Sequence, residues 1–137
     1  MRLVRLIYAN TFKSKTVDAS ELSRIHEKAK TANLSLDIAG MLVFGNDFFL
    51  QCLEGGREAV NSLYSKIASD PRHERSLLLE YSELTEKDFD QWSMKLVLLT
   101  PEKMKFLRKF SATSTFDPYK MRGKSGHQLM LSLRCND

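Results

Sequence analysis

The chain has 137 residues, of which 42% are hydrophobic and 28% charged, and a formal net charge of +4. This length suits about one domain with its own core, and no apolar stretch approaches the roughly 20 residues that a membrane-spanning helix needs. Two cysteines form no disulfide framework, and Cys52 lies in an apolar run. We therefore expect a reduced protein in the cytoplasm, without a signal peptide, because Arg5 interrupts the N-terminal apolar run.

The basic residues are scattered and mixed with acidic ones, apart from a denser region between residues 103 and 124. This mixture is typical of solvated helix faces, and contact with the phosphate groups of a cofactor is a second use open to some of the charge. We therefore expect neither direct nucleic-acid binding nor membrane binding.

The first half of the chain alternates between strand and helix signals. The apolar run Leu3–Tyr8 predicts the first strand. A capping-box pattern predicts a helix over Ala19–Ala32, since a glutamate three residues after the cap can reach back to its amide. The turn signal Gly45-Asn46-Asp47 lies between two further apolar runs and predicts a hairpin of strands Ile38–Phe44 and Phe48–Leu53.

The second half continues the pattern and ends in helices. Apolar residues at helical spacing predict a helix over Arg57–Ser69, which a following Asp-Pro pair ends. Strands are predicted over Leu77–Tyr81 and Met94–Leu99. A helix is predicted over Pro101–Phe110, and a weaker final one over Gly126–Leu133.

The element order is βαββαββ followed by helices, which predicts an α+β, ferredoxin-like fold with a mixed sheet. In that topology strands 1 and 3 are central neighbours, and the first two helices cover one face. Strands 1, 3 and 5 are apolar almost throughout, which is typical of strands covered on both faces. We therefore expect the C-terminal helices to cover the second face.

No familiar catalytic or metal motif is present. His26, His73 and His127 are far apart in sequence, and neither cysteine forms a ligand pair, so we expect no metal site. There is no G-x-S-x-G elbow, Walker loop or dinucleotide-binding glycine motif.

Two polar residues in apolar strands stand out. Gln51 lies in the middle of an apolar run, and Tyr8 ends the strand predicted beside it. Buried amide and phenol groups need hydrogen-bond partners. Taken alone, the two residues fit two readings equally well: a hydrogen-bonded polar pair in the core that has no function, or part of a functional site.

Residues 1 to about 100 resemble the BLUF family of blue-light sensors that use FAD. The resemblance rests on five stretches in the same order and spacing: Leu6-Ile7-Tyr8-Ala9-Asn10, Ile38-Ala39-Gly40-Met41-Leu42, Phe48-Phe49-Leu50-Gln51-Cys52-Leu53-Glu54-Gly55, Asp70-Pro71-Arg72-His73 and Trp92-Ser93-Met94. It implies a photosensor domain over residues 1–100 and a C-terminal helical extension over 101–137, as in short stand-alone members.

The resemblance also implies roles for individual residues. Tyr8 would be the redox-active tyrosine, and Gln51 the glutamine that rearranges by rotation or tautomer change. Asn33 would hydrogen-bond the flavin ring, while Ile25 and Ile67 would pack on its two faces.

Further residues follow from the same resemblance. Phe49 would contact the flavin, and the ribityl and ring-edge side would be lined by Asp70, Arg72 and His73. Trp92 and Met94, on strand 5, would form the pair near Gln51 that relays the signal. Two positions depart from the commoner pattern, with Asn10 where a small hydroxyl residue is frequent and Ala32 where some members have a polar side chain.

These roles imply a non-catalytic photoreceptor with non-covalent FAD, although FMN or riboflavin would also suit the site. We expect a homo-oligomer whose light state is read by a separate signalling protein. The alternatives are a cofactor-free ferredoxin-like module that binds nucleic acid or protein, and a small phosphatase-like enzyme, for which no anion loop with an adjacent arginine is evident.

Overall fold

A computed structural model describes residues 2–12, 16–111 and 115–134. The elements follow the predicted order: β1 (Leu3–Phe12), α1 (Ala19–Ser35), β2 (Ala39–Gly45), β3 (Phe48–Gly56), α2 (Arg57–Ser69), β4 (His73–Leu84), β5 (Lys95–Leu98), α3 (Met104–Leu107), a 3₁₀ turn (Pro118–Lys120) and α4 (Gly123–Arg134). Among the described helices, none is long and apolar enough to cross a membrane.

The five strands form one mixed sheet in the order β4-β1-β3-β2-β5. β3 is antiparallel to both β1 and β2, whereas β5 adds to β2 in parallel. The predicted ferredoxin-like arrangement, with strands 1 and 3 side by side, is confirmed, and β5 extends it at one edge.

Both faces of the sheet are covered, as the continuous apolar runs predict. On the face under α1 and α2, the buried strand residues are Val4, Leu6, Tyr8, Leu42, Phe49 and Leu53. On the other face, the core includes Ile7, Met41, Val43, Leu50, Cys52, Leu107, Phe116, Leu129, Met130 and Leu133. Successive strand residues point to opposite faces. A strand that is buried on both faces therefore does not alternate between apolar and polar residues.

Several element bounds differ from the predictions. β4 runs from His73 to Leu84 rather than over Leu77–Tyr81, because it is an edge strand whose polar, half-exposed residues still pair with β1. β3 continues through the predicted break at Gly55-Gly56, which pairs with the start of β1. α3 spans only Met104–Leu107, because the residues before it form turns around Thr100.

An ionic network holds α4 against the second face of the sheet. Arg5 and Glu54 are partners across β1 and β3, with 3.1 Å between Nε and Oε2. Arg5 also pairs with Asp88, whose carboxylate accepts from Nε2 of His127 on α4 (2.8 Å). Glu54 is fully buried and accepts from the backbone N–H of Phe89 (2.8 Å). A buried charge needs such partners, so the network fixes where the β4–β5 segment and α4 lie.

Candidate functional site

A cavity of about 800 Å³ opens between α1 and α2, above the helix-covered face of the sheet. This volume is in the usual range for a small-molecule site. Ile25 and Asn33 line it from α1, Leu63 and Ile67 from α2, and Gln51 from β3. α1 is positioned by the cap at Asp18, whose side chain accepts from the N–H of Glu21 as the capping box predicts.

The structure brings most of the predicted site residues to this cavity. Its wall includes Ile25, Asn33, Gln51, Ile67, Asp70, Arg72, His73 and Met94. Three others lie elsewhere. Tyr8 and Phe49 are buried in the core below the cavity, and Trp92 packs against the core of the opposite face. No cluster of three potential metal ligands occurs in the described part of the chain.

Tyr8 and Gln51 are direct cross-strand partners on β1 and β3. Opposed residues of an antiparallel pair point to the same face, so both side chains lie on the side covered by α1 and α2. The Tyr8 hydroxyl is fully buried and has no hydrogen-bond partner among the described residues. Burial raises the pKa of Tyr8, so its phenol is neutral at physiological pH.

Asn33 connects the cavity to the segment before β5. Its side chain is 1% exposed, and Nδ2 donates to the carbonyl oxygen of Ser93 (2.6 Å). The backbone of Gly40 lies very close to that of Cys52, so that a Cβ on Gly40 would be 2.4 Å from the carbonyl oxygen of Cys52. Only glycine therefore allows this approach between β2 and β3.

His73 lines the cavity from the start of β4, and its partner Asn10 was not predicted as a site residue. Nδ2 of Asn10 is 2.7 Å from Nδ1 of His73. An amide nitrogen only donates, so Nδ1 accepts and Nε2 carries the proton of the neutral ring. Burial lowers the pKa of His73, which also favours the neutral form. The sequence showed Asn10 only as a departure from the commoner small hydroxyl residue and gave no indication of its partner.

Asp70 and Arg72 form a tight turn at the cavity's edge. Oδ1 of Asp70 accepts from the backbone N–H of Arg72 (2.9 Å), and Oδ2 accepts from its Nη2 (2.8 Å). The hydrogen bonds from Arg72 lower the pKa of Asp70. The two charges therefore largely neutralise each other at this edge.

Met94 and Trp92 precede β5 rather than lying on it, since β5 begins at Lys95. Met94 is 4% exposed and lines the cavity, and its carbonyl oxygen accepts from Nε2 of His26 on α1 (2.9 Å). Trp92 points away from the cavity, with the Lys95 amine 4.3 Å from its ring centroid. In this structure the two residues therefore lie on opposite sides of the segment.

The residues present fit a flavin. Ile25 and Ile67 give the cavity apolar surfaces from two different helices, which suits a planar ring system. The amides of Asn33 and Gln51 can donate to or accept from a ring edge. The unpartnered Tyr8 hydroxyl lies on the same face as Gln51, so a rearranged amide has a group to bond.

Comparisons with known proteins identify the family of the chain. The model of the BLUF family, sensors of blue light using FAD, matches residues 3–95. The photo-activated state of BlsA is similar at 30% identity and a TM-score of 0.88, over 98% of this chain and 96% of that one. The dark-state structure of BlrB is similar at 25% identity and a TM-score of 0.77, over 99% and 98%.

Longer relatives match as well. Photoactivated adenylate cyclase subunit alpha of Euglena gracilis is 32% identical over 95 residues, which are 69% of this chain and 9% of that protein. The chain therefore spans about a tenth of the length of the curated relatives that it matches. The family match covers most of the chain, and the chain belongs to the BLUF family of blue-light sensors that use FAD.

Proposed function

We propose that Tyr8 and Gln51 form the light-driven switch of this sensor. The register of the two strands carries the proposal. Gln51 lines the cavity and stands directly opposite Tyr8, whose hydroxyl has no hydrogen-bond partner among the described residues. A buried hydrogen-bond network responds strongly to one rearranged group, since the local dielectric is low.

The resemblance to the family implies the roles of the two side chains, and their burial supports them. A flavin held between Ile25 and Ile67 would supply absorption of blue light and one-electron chemistry. Burial raises the pKa of Tyr8, so Tyr8 keeps its proton in the dark. On illumination, Tyr8 would give up an electron and then the proton. The proton passes to the Gln51 amide, and electron and proton then return to Tyr8 without net oxidation. The Gln51 amide is left rearranged, by rotation or tautomer change, and presents a different donor or acceptor to the cavity.

The segment before β5 is the proposed relay. The Met94 side chain lines the cavity with Gln51, and its carbonyl oxygen is held by His26. The next residue, Lys95, begins β5. A displacement of Met94 would therefore reach β5 and the C-terminal helices packed on the second face.

We infer that residues 1–100 are the sensor and residues 101–137 an extension, without a catalytic output of its own, in the cytoplasm. A separate signalling protein reads the light state, and the chain acts as a homo-oligomer. The chain matches 96% of the BlsA chain and 98% of the BlrB chain, which supports a sensor of about this size. Exposed Leu77, Leu78 and Tyr81 on the edge strand β4 support self-association.

The switch is tested with the full chain loaded with FAD. We expect blue light to shift the flavin absorption reversibly to the red, and Gln51→Leu to keep flavin while losing the shift, because leucine can neither donate nor accept. A normal red shift in Gln51→Leu would refute the proposed role of Gln51, and protein that binds no flavin would refute the proposed flavin site.

The oligomeric state is tested by light scattering after size exclusion, in the dark and under blue light. A monomer in both states would contradict the proposed homo-oligomer.

A further inference from the structure

Residues 92–94, which lead into β5, are held through each of their three backbone carbonyl oxygens. The donors to residues 92, 93 and 94 are, in that order, the backbone N–H of Gly40 (3.2 Å), Nδ2 of Asn33 (2.6 Å) and Nε2 of His26 (2.9 Å). Two of the three donors are therefore side chains of α1. They are seven residues apart, which is about two helical turns, so they lie on the same side of the helix.

The two donors on α1 differ in their relation to the cavity. Asn33 lines the cavity, so a ligand can compete for its amide. His26 is half-buried and does not line the cavity, although its neighbour Ile25 does. A carbonyl oxygen only accepts, so Nε2 of His26 carries a proton. The bond from His26 to Met94 is therefore independent of what the cavity holds.

The backbone of this segment decides which side chain reaches the cavity. Residues two apart on a regular strand point to the same face. Here Met94 packs in the core under α1 and α2, whereas Trp92 packs against the core of the opposite face. A methionine side chain is unbranched and adaptable, so its place beside Gln51 depends on how the backbone is held.

We propose that His26 is a positioning residue of the light reaction, which keeps the Met94 side chain packed near Gln51 and so slows the return of the rearranged amide to its dark arrangement. This inference rests on the proposed switch at Gln51. Loss of the bond would loosen Met94 and free the amide to return sooner. The net contribution of one hydrogen bond corresponds to a recovery roughly three- to tenfold faster.

The test measures two properties of the FAD-loaded full chain. The first is the rate at which the red shift decays in the dark after blue light. The second is the fluorescence of Trp92, the only tryptophan of the chain. We expect His26→Leu to recover about three- to tenfold faster than the wild type and to shift the Trp92 emission. His26→Gln, whose amide N–H replaces the donor, should restore both properties.

Lys30→Leu is the matched control. Lys30 lies on the same helix, pairs with Glu27 (3.8 Å) and does not line the cavity, so this variant should recover at the wild-type rate. An unchanged recovery rate in His26→Leu would overturn the inference and leave the switch intact. Equal recovery rates in His26→Leu and His26→Gln, or an equally fast recovery in Lys30→Leu, would also overturn it. A wild type without any red shift would overturn the switch itself.

Discussion

Asn33 serves the fold and the cavity at once. Its Nδ2 holds the carbonyl oxygen of Ser93, and its side chain lines the cavity at the end of α1. A ligand that bonds this amide therefore also contacts the segment leading to β5. At this position the proposed binding role and a contact with the segment before β5 fall on one side chain.

Asn33→Ala is expected to weaken flavin binding, because the ring edge loses a partner in a buried site. The expected cost is about 1–3 kcal/mol, measured as the dissociation constant and release rate of the flavin. Asn61→Ala, at an exposed position of α2 outside the cavity, is the control. Equal affinity in the wild type and Asn33→Ala would contradict the assignment.

His73 makes stability depend on pH. Its pKa is lowered by burial from the ordinary value of 6.5, so below about pH 6.5 the unfolded chain binds more protons than the folded one. The free energy of unfolding should therefore fall as pH decreases through this window, and protonation would also break the bond from Asn10.

Urea unfolding at pH 7.5 and 5.5 measures this effect. We expect His73→Gln to lose less stability on acidification than the wild type, with His26 and His127 common to both proteins. An identical pH dependence in the two proteins would show that His73 does not contribute.

At the scale of elements, the spacing of apolar residues correctly predicted the helices and strands that have one clearly apolar face. α2 has the predicted bounds, and the hairpin turn is confirmed, with Asn46 and Asp47 at positive φ. β4 was predicted too short, because its outer residues are stabilised by pairing with β1 rather than by burial. Such pairing leaves no hydrophobic pattern in the sequence.

The packing of α4 depends on one glycine. A Cβ on Gly123 would lie 2.5 Å from the carbonyl oxygen of Leu79 on β4, whereas a Cβ on Gly126 would have its nearest neighbour at 3.7 Å. The first distance is a clash with backbone, and the second is an ordinary contact.

Gly123→Ala should therefore displace the start of α4 and lower the free energy of unfolding by about 1–3 kcal/mol. Gly126→Ala, in the same helix, should raise it by roughly 0.5–1 kcal/mol, because alanine favours the helix. Chemical denaturation of both variants tests this. Equal effects of the two substitutions would mean that α4 does not pack as described.

For the whole molecule, the fold class and the family could be predicted from the sequence. Gln51 and Tyr8 were visible because polar residues interrupt apolar strands, and their register is now seen. The pairing of Asn10 with His73 could not be predicted, because it depends on how β4 aligns with β1.

The proposed switch requires the hydroxyl of Tyr8, and not merely an aromatic ring near the cavity. Tyr64 is a matched control, because its ring packs edge-on against Tyr8 with the centroids 4.9 Å apart. The light-minus-dark absorption spectrum of the FAD-loaded full chain should keep its red shift in Tyr64→Phe and lose it in Tyr8→Phe, with flavin bound in both. A normal shift in Tyr8→Phe would contradict the account.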